Sequence, residues 1–591
     1  MPGTVIYPLH AEAALSGSGG NSGGSVSGDN GRLDRLRQGQ GAVANHVIDE
    51  FAAGRISRRD FLRRGSVVGI LVPALSASVA ACESSSTPSP RPSPRPVAHK
   101  AGATITAGIF APSGEINPLT VTDLGGGIML AQTGEYLCLA DQQLGLQPVL
   151  AERWTPNSAA DVWTFKIRQG VTFHDGSPLT ADDVVYTYKL QTNPKNSANA
   201  LSAFGGVLGP SGVTKVDDHT VAFHLEAPNG NFPYLTSSEN YNMIILPDGY
   251  DPADWQSSFV GTGPFVLTSY VPGAGASFAR NSQYWGSKAL PAATEFTFYE
   301  TQAPQTLALS SGTIDVIGQF SVSGGEQLLA PGAPYNIFRL RSSAHEELSM
   351  RCDTAPFTDP RVRQAIALTL NRPAIVAALF QGYADVGNDS PFAPVFASTD
   401  TSILHRGMDI STARALMSAA GYPSGFTTRL TTLQFQEIPQ YAQIVAQAAT
   451  SIGVTIQLTV ESPSAYYGKA TFGSSDWLDA TMSLVNYGHR SVPNVFLSAP
   501  LQTTNVATGT GSWNAAHFND TQYDTLSRQY IAAVDLSTQR SLAGQIQTLL
   551  LDQTPIIYGY FYDHLTATAA NVTGVYPTAI GGLFLNNAVK T

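Results

Sequence analysis

Trp163, Phe165 and Ile167 alternate with Thr164, Lys166 and Arg168, a period of two that predicts a strand with one buried face. Val171-Thr172-Phe173 follows Gly170 and runs into His174-Asp175-Gly176, which reads as a short strand ending in a turn. Thr180 then reads as a helix N-cap. Asp182 and Asp183 complement the positive end of that helix, and Val184, Val185 and Tyr188 form its apolar face. Val221, Phe223 and Leu225 alternate again after the turn signal Asp217-Asp218. Asp359-Pro360 is a cap followed by proline at the first helical position, with Val362, Ala365, Ile366 and Thr369 facing inward. Ser411 is expected to open a further helix that Gly421 closes. Residues 441–451 read as a helix feeding a strand over 454–460 across Ile452-Gly453. Short strands interleaved with helices, and no visible repeat, define an α/β chain.

The first part of the sequence follows a different pattern. Residues 11–31 are rich in glycine and serine and read as disordered, and Val43, Val47, Ile48 and Phe51 fall at the spacing of a short amphipathic helix. Arg58-Arg59-Asp60-Phe61-Leu62 precedes an uncharged run over 65–81 that Pro73 interrupts. Such a run is short for a membrane span and suits the apolar core of an export signal. Its arginine pair resembles the twin-arginine export motif, whose route carries folded proteins. Val79-Ala80-Ala81-Cys82 resembles a bacterial lipobox, which implies cleavage before Cys82 and diacylation of its thiol. Prolines at 88, 90, 92, 94 and 96 favour an extended, semi-rigid tether behind it.

Removing 1–81 leaves 510 residues with 25 basic and 38 acidic groups, a net charge of −13. That balance repels phosphate backbones, and no basic stripe offsets it, so nucleic acid is not an expected partner. Hydrophobic content of 43% with a mean hydropathy of −0.02 excludes a polytopic membrane protein. A body of this length is expected to form two or more domains. Cys82, Cys138 and Cys352 are too few for a disulfide scaffold; with Cys82 lipidated, the other two either pair or remain buried thiols.

The stretch LAERWTPNSAADVWTFKIRQGVTFHDGSPLTADDVVYTY, residues 150–188, resembles a signature of the peptide/nickel/opine (family 5) class of bacterial extracellular solute-binding proteins, components of ABC importers. Further fragments follow in the order of that family. They are Gly261-Thr262-Gly263-Pro264-Phe265, Arg280-Asn281 with Tyr284-Trp285, Pro356-Phe357-Thr358-Asp359-Pro360, and 413–421 with Tyr422. The resemblance implies a two-lobed α/β fold of the periplasmic-binding-protein (Venus flytrap) type, with an extra domain inserted in lobe I. It divides the chain into a leader (1–81), a lipidated tether (82–102), lobe I in three parts (103–133, 263–337 and 565–591), an inserted domain (134–262) and lobe II (338–564). A monomer without cofactor or metal is expected, held by the export signal and lipobox at the outer face of the cytoplasmic membrane. That monomer would capture a peptide or peptide-like solute between its lobes and hand it to permease and ATPase subunits. An oligosaccharide or opine-like solute, or a sensory role without transport, is an alternative within the same fold.

Enzymatic motifs are weak. His345-Glu346-Glu347 begins like a zincin motif, but Ser349 stands where the second histidine is needed. His174-Asp175 reads as a structural turn, and the only Gly-x-Ser-x-Gly match, at 20–24, lies in the leader. His219 and His224 have a metal-like separation, but an odd offset on a strand points them to opposite faces. An anchored hydrolase is the remaining alternative of another class. Trp154, Trp163 and Trp285 read as core packing. The candidate ligand residues are Asn486, Tyr487, His489 and Arg490, which precede Pro493-x-x-Phe496-Leu497. The resemblance places a tryptophan near Tyr487 and, a few residues on, an aspartate that meets a ligand ammonium; here His489 and Arg490 stand instead. The implied ligand therefore offers this segment a neutral or anionic group.

Overall fold

The computed structural model describes residues 102–505 and 509–591; the leader, Cys82 and the tether as far as residue 101 lie outside the described residues. One mixed sheet of eleven strands runs through the body. From one edge its order is Thr455–Glu461, Thr427–Leu433, Met482–Tyr487, Tyr335–Met350, Ile556–Ala569, Val316–Phe320, Thr104–Phe110, Ala293–Tyr299, Gly275–Arg280 and Phe265–Val271, with Ala384–Val386 added against Ile556–Ala569.

The two central strands decide the architecture. Tyr335–Met350 and Ile556–Ala569 pair antiparallel along most of their lengths, but the register slips between Leu340 and Ala344. Beyond the slip, residues 345–350 pair with Met482–Tyr487 and Tyr560–Tyr562 receive Ala384–Val386. Before it, Leu565–Thr568 pair with Val316–Phe320. Different partners on the two sides give two sets of apolar cores. One gathers Ile105, Ile109, Met129, Phe265 and Phe296; the other gathers Leu348, Ile366, Leu430, Tyr441 and Leu484. These are the two lobes of the α/β fold, joined by two strands that belong to both.

A separate four-stranded antiparallel sheet, Ala151–Pro156, Val162–Ile167, Thr220–His224 and Val213–Asp217, carries the helix Ala181–Thr192. The alternation at 163–167 is realised, with Trp163, Phe165 and Ile167 buried. Tyr188 meets Phe223 edge-on at 4.7 Å, and Thr180 with Asp183 closes a complete capping box. The segment around Val171 forms a single bridge, Thr172 to Pro178, instead of a strand of its own. His174 ties that turn to the chain at 261–263: its backbone N–H donates to Gly261 O at 2.8 Å, and its ring lies 3.0 Å from Gly263 O. Two fragments far apart in sequence therefore meet through one imidazole.

Asp359 caps the helix Pro360–Ala367 as expected. The helix expected to open at Ser411 opens earlier, at Ile410, because Asp409 is the stronger cap. Its carboxylate accepts from the Thr412 N–H at 3.0 Å and takes the Ser411 hydroxyl at 2.7 Å. The helix Ile438–Ala449 feeds Thr455–Glu461 through Gly453, at φ +78°. That junction packs backbone on backbone, since a Cβ on Gly425 would lie 2.0 Å from the Gly453 carbonyl oxygen. Cys138 and Cys352 are free thiols; Cys138 is buried with its sulfur against Pro233 O and Thr236.

In the second lobe Asp389 is fully buried between two guanidiniums. Arg372 Nη2 donates to its two oxygens at 2.7 and 2.9 Å, and Arg406 Nη1 donates at 2.8 Å. Arg372 opens the helix Arg372–Phe380 and also reaches Arg406 O, while Arg406 reaches Leu551 O and Thr554 at the end of Leu536–Gln553. One carboxylate thus organises four chain segments.

Candidate functional site

The strand Met482–Tyr487 ends where the sheet register slips, and the chain leaves it through the exposed Gly488. Asn486 pairs with Glu346 across the ladder and sits near the Tyr562 hydroxyl. Tyr487 does not stand free. Its ring stacks on Trp513 at 5.5 Å and 19° and lies 5.9 Å from His345, with its hydroxyl buried. Burial holds that phenol well above its ordinary pKa.

His489 and Arg490 turn back onto the slip. The Ser343 N–H donates to His489 Nδ1 at 2.9 Å. Ser343 Oγ donates to Arg490 O at 2.7 Å and accepts from the Arg490 N–H at 2.9 Å. An Nδ1 that accepts a backbone N–H leaves the proton of the neutral ring on Nε2. Nε2 points toward Glu239 Oε2, 3.5 Å away, a contact too long to be a strong hydrogen bond. Burial first, then the charge of Arg490 and the proximity of His564, push the His489 pKa down to about 3, so this ring is neutral.

Glu239 comes from the loop after the helix Phe232–Leu235, and only 7% of its side chain is exposed. Burial raises its pKa to about 7 against the opposing pull of Ser491 and Arg490. Arg490 spends Nη1 on the His489 carbonyl at 2.8 Å and feels the field of Glu239 and Tyr241 without an ion-pair contact to Glu239. Tyr241 packs over Gly127 of the helix Leu124–Thr133, where a Cβ would approach its ring to 3.0 Å. A narrow cavity opens here between Leu124, Gly127, Tyr136, Ser238, Tyr241 and Gly581. His564 borders it through Gly581, and burial lowers its pKa to about 4.

Among the described residues, four buried polar atoms around this point make no hydrogen bond of good geometry: Glu239 Oε2, His489 Nε2, Ser491 Oγ and His564 Nε2, although Ser491 lies close enough to pull on the Glu239 carboxyl. Each such group costs roughly 1–3 kcal/mol, so their concentration at a junction of both lobes marks a place built to be satisfied by something else. The structure brings His489 and Arg490 into this cluster, sets Asn486 on the adjoining strand, and packs Tyr487 into the core behind it. Glu239, Ser343 and His564 escaped the sequence reading. The only signal at Glu239 is a polar run, Ser237-Ser238-Glu239-Asn240, set before the apolar Met243-Ile244-Ile245-Leu246.

A two-lobed α/β body with a polar junction between its lobes defines a binding protein of the extracellular solute-capturing class. Residues 145–507 match the profile of the bacterial extracellular solute-binding proteins, family 5 middle region, and the chain belongs to that family. It is 26% identical over 445 residues to heme-binding protein A of Haemophilus influenzae, covering 70% of this chain and 78% of that protein. It is 26% identical over 448 residues to di/tripeptide-binding protein 2 of Pseudomonas aeruginosa, covering 69% and 80%. Its fold is similar to that of HbpA2 from Haemophilus parasuis, with a TM-score of 0.71 at 22% identity, covering 83% of this chain and all of that one.

Proposed function

We propose that this protein captures a peptide or peptide-like solute between its lobes and delivers it, without turning it over, to the permease and ATPase subunits of an ABC importer. The observation that carries this reading is the cluster of buried polar atoms of Glu239, His489, Ser491 and His564 where the lobes meet, none in a hydrogen bond of good geometry among the described residues. Membership in a family of binding proteins and the di/tripeptide-binding relative support the solute class. In this reading 134–262, which contains the four-stranded sheet, is the domain inserted in lobe I, and 338–564 is lobe II. A ligand that touches both lobes stabilises only the arrangement in which they meet, so binding is a population shift. Small-angle scattering is expected to give a smaller radius of gyration with bound solute than without. Mass spectrometry of molecules released on denaturation identifies the solute. A bound solute that leaves the radius unchanged would argue against capture by closure.

The anchor belongs to the same proposal. Arg58-Arg59 directs twin-arginine export, and Cys82 carries the lipid that holds the monomer at the outer face of the cytoplasmic membrane. Cys82→Ala is expected to leave the leader uncleaved at this site and the protein without acyl chains, read by intact-mass spectrometry. An unacylated wild-type N-terminus elsewhere in the chain removes the anchor from the reading.

A further inference from the structure

Segments 134–262 and 338–564 also meet through neutral groups that already satisfy one another. Residues 141–145 turn the hairpin between Cys138–Ala140 and Leu146–Pro148, and Asp141 ties the turn by accepting the Gly145 N–H at 2.8 Å. Near its tip Leu144 stands at φ +61°, a conformation that a leucine rarely adopts. The Tyr234 hydroxyl donates to its carbonyl at 2.7 Å. Its side chain, 6% exposed, joins the core that gathers Phe392, Phe396, Tyr523 and Tyr530. Among the described residues, every other buried member of that core lies within 392–561. A leucine held in an unfavourable backbone conformation thus completes a core that belongs to the other lobe.

A second contact lies at 229–231. Trp163 Nε1 donates to Asn229 O at 3.0 Å and fixes this loop to the four-stranded sheet. From the loop, Asn231 Nδ2 donates to Asn494 Oδ1 at 2.9 Å. Asn494 Nδ2 in turn donates to Asn229 Oδ1 at 3.2 Å, and Gln539 Nε2 donates to Asn231 Oδ1 at 3.1 Å. The Gly230 N–H donates to Ile531 O at 2.8 Å, near the end of the helix Thr521–Ala532. A Cβ on Gly230 would lie 1.9 Å from Ala533 O, so the two backbones touch because residue 230 has no side chain.

We infer that Leu144 and the amides of Asn229, Asn231, Asn494 and Gln539 form a latch between the lobes, which biases them toward closure before any solute is engaged. This rests on the reading of 134–262 as the domain inserted in lobe I, and of 338–564 as lobe II, of a solute-capturing protein. The chemistry suits a catch that opens and closes. Neutral amides exchange one another for water at little net change in free energy, whereas a buried ion pair parts at a high cost. One leucine adds a single apolar contact that opening returns to water. The latch closes on protein groups alone, so it acts in the same way whatever solute lies between the lobes. The fraction of molecules it keeps closed multiplies directly into the apparent affinity for a solute that binds only the closed arrangement.

Small-angle scattering on the full chain tests this with Leu144→Gly and Gly230→Ala, each compared with the wild type in samples from which denaturation releases no solute. Glycine suits the positive φ at 144, so the hairpin keeps its turn and loses only the apolar contact. Gly230 has a negative φ, so alanine fits its own loop and collides only with Ala533 of the other lobe. Both variants are expected to shift to a larger radius of gyration than the wild type while keeping its far-ultraviolet circular dichroism. Folded variants with the wild-type radius overturn the latch. They leave solute capture standing, because that reading is tested separately by compaction of the wild type on binding. Should either variant lose its secondary structure, Gln539→Glu decides: it keeps the volume and sets a carboxylate against the oxygens of Asn231 and Ala533 that Gln539 now donates to. A larger radius with native circular dichroism supports the latch, and the wild-type radius or an unfolded chain overturns it.

Discussion

Asp389→Asn is expected to destabilise the protein by about 3–5 kcal/mol, the range for breaking a buried ion pair by removing one partner. The substitution keeps the volume, and asparagine tolerates the positive φ of +50° found at this position, so backbone strain does not contribute. What changes is the charge, and one accepting oxygen becomes an NH2 that cannot accept from a guanidinium. Arg372, 1% exposed, and Arg406, 11% exposed, would share a low-dielectric site with no anion between them. The four segments they join would lose their common anchor. Urea unfolding followed by circular dichroism reads this as a lower midpoint. A midpoint shift worth less than about 1 kcal/mol would show that the guanidiniums escape to water when released.

The second expectation is the reverse of that for a salt-bridged carboxylate, whose ionised form is the stabilising one. In the ligand-free protein Glu239→Gln is expected to melt above the wild type at pH 8, by a margin worth about 3 kcal/mol at most, and to lose that margin as the pH falls to 4.5. The sign follows from the two states. In the unfolded chain the carboxyl titrates near 4.5, and in the folded protein at about 7. Between those values the unfolded chain has released its proton while the folded protein keeps it. Stability contributed at this site therefore falls as pH rises, and the full cost stands above about 7. Glutamine has no proton to lose. The groups facing Glu239 do not blur the window. His489, titrating at about 3, is neutral throughout it, Arg490 stays charged, and Tyr241 and Tyr234 are shifted upward. Glu135, at about 7, and Asp563, at about 6, titrate in both proteins and cancel in the difference. Differential scanning calorimetry at pH 4.5, 6 and 8 measures it. A margin that is independent of pH, or a wild type that melts higher at pH 8, would mean that Glu239 is ionised without cost in the empty protein. A residue whose ionisation lowers stability in the empty protein is of the kind that function, not folding, retains.

Local patterns carried far in the sequence, and their limit is physical. The strand over 163–167 was legible because one face is buried and the other wet. The caps Thr180 and Asp359 were legible because their side chains act on the next turn of the same chain. The two strands that join the lobes were not. Tyr335–Met350 reads Arg339-Leu340-Arg341-Ser342-Ser343-Ala344-His345-Glu346-Glu347 at its middle, a polar run without period two. Arg339 and Arg341 keep to water, but from Ser342 on the polar residues are buried on both faces: His345, Glu346 and Glu347 are each at most 1% exposed. His345 lies among Tyr487, Phe496, Tyr558 and Phe561, with Nδ1 on Ser343 O and Nε2 toward Glu347 Oε1, which takes the Tyr558 hydroxyl. What looked like the start of a metal motif is a hydrogen-bonded core element. The site was half legible for a related reason. His489 and Arg490 could be placed by resemblance of their own segment, whereas Glu239 enters the site only through a tertiary contact between segments some 250 residues apart, which no local pattern encodes.

The strand Ile556–Ala569 sits at the centre of the sheet, between Tyr335–Met350 and Val316–Phe320, and serves both lobes. This sets a clock on biosynthesis. At roughly 5–20 residues per second, about 10–40 s separate the emergence of the first long strand from that of the second. Throughout that interval each lobe presents an open strand edge of the kind that pairs with other chains. Neither lobe can complete its sheet on the ribosome before nearly the whole chain has been made, so the body forms in one late event and not lobe by lobe. A chain cut anywhere before residue 556 loses the middle of both lobes at once.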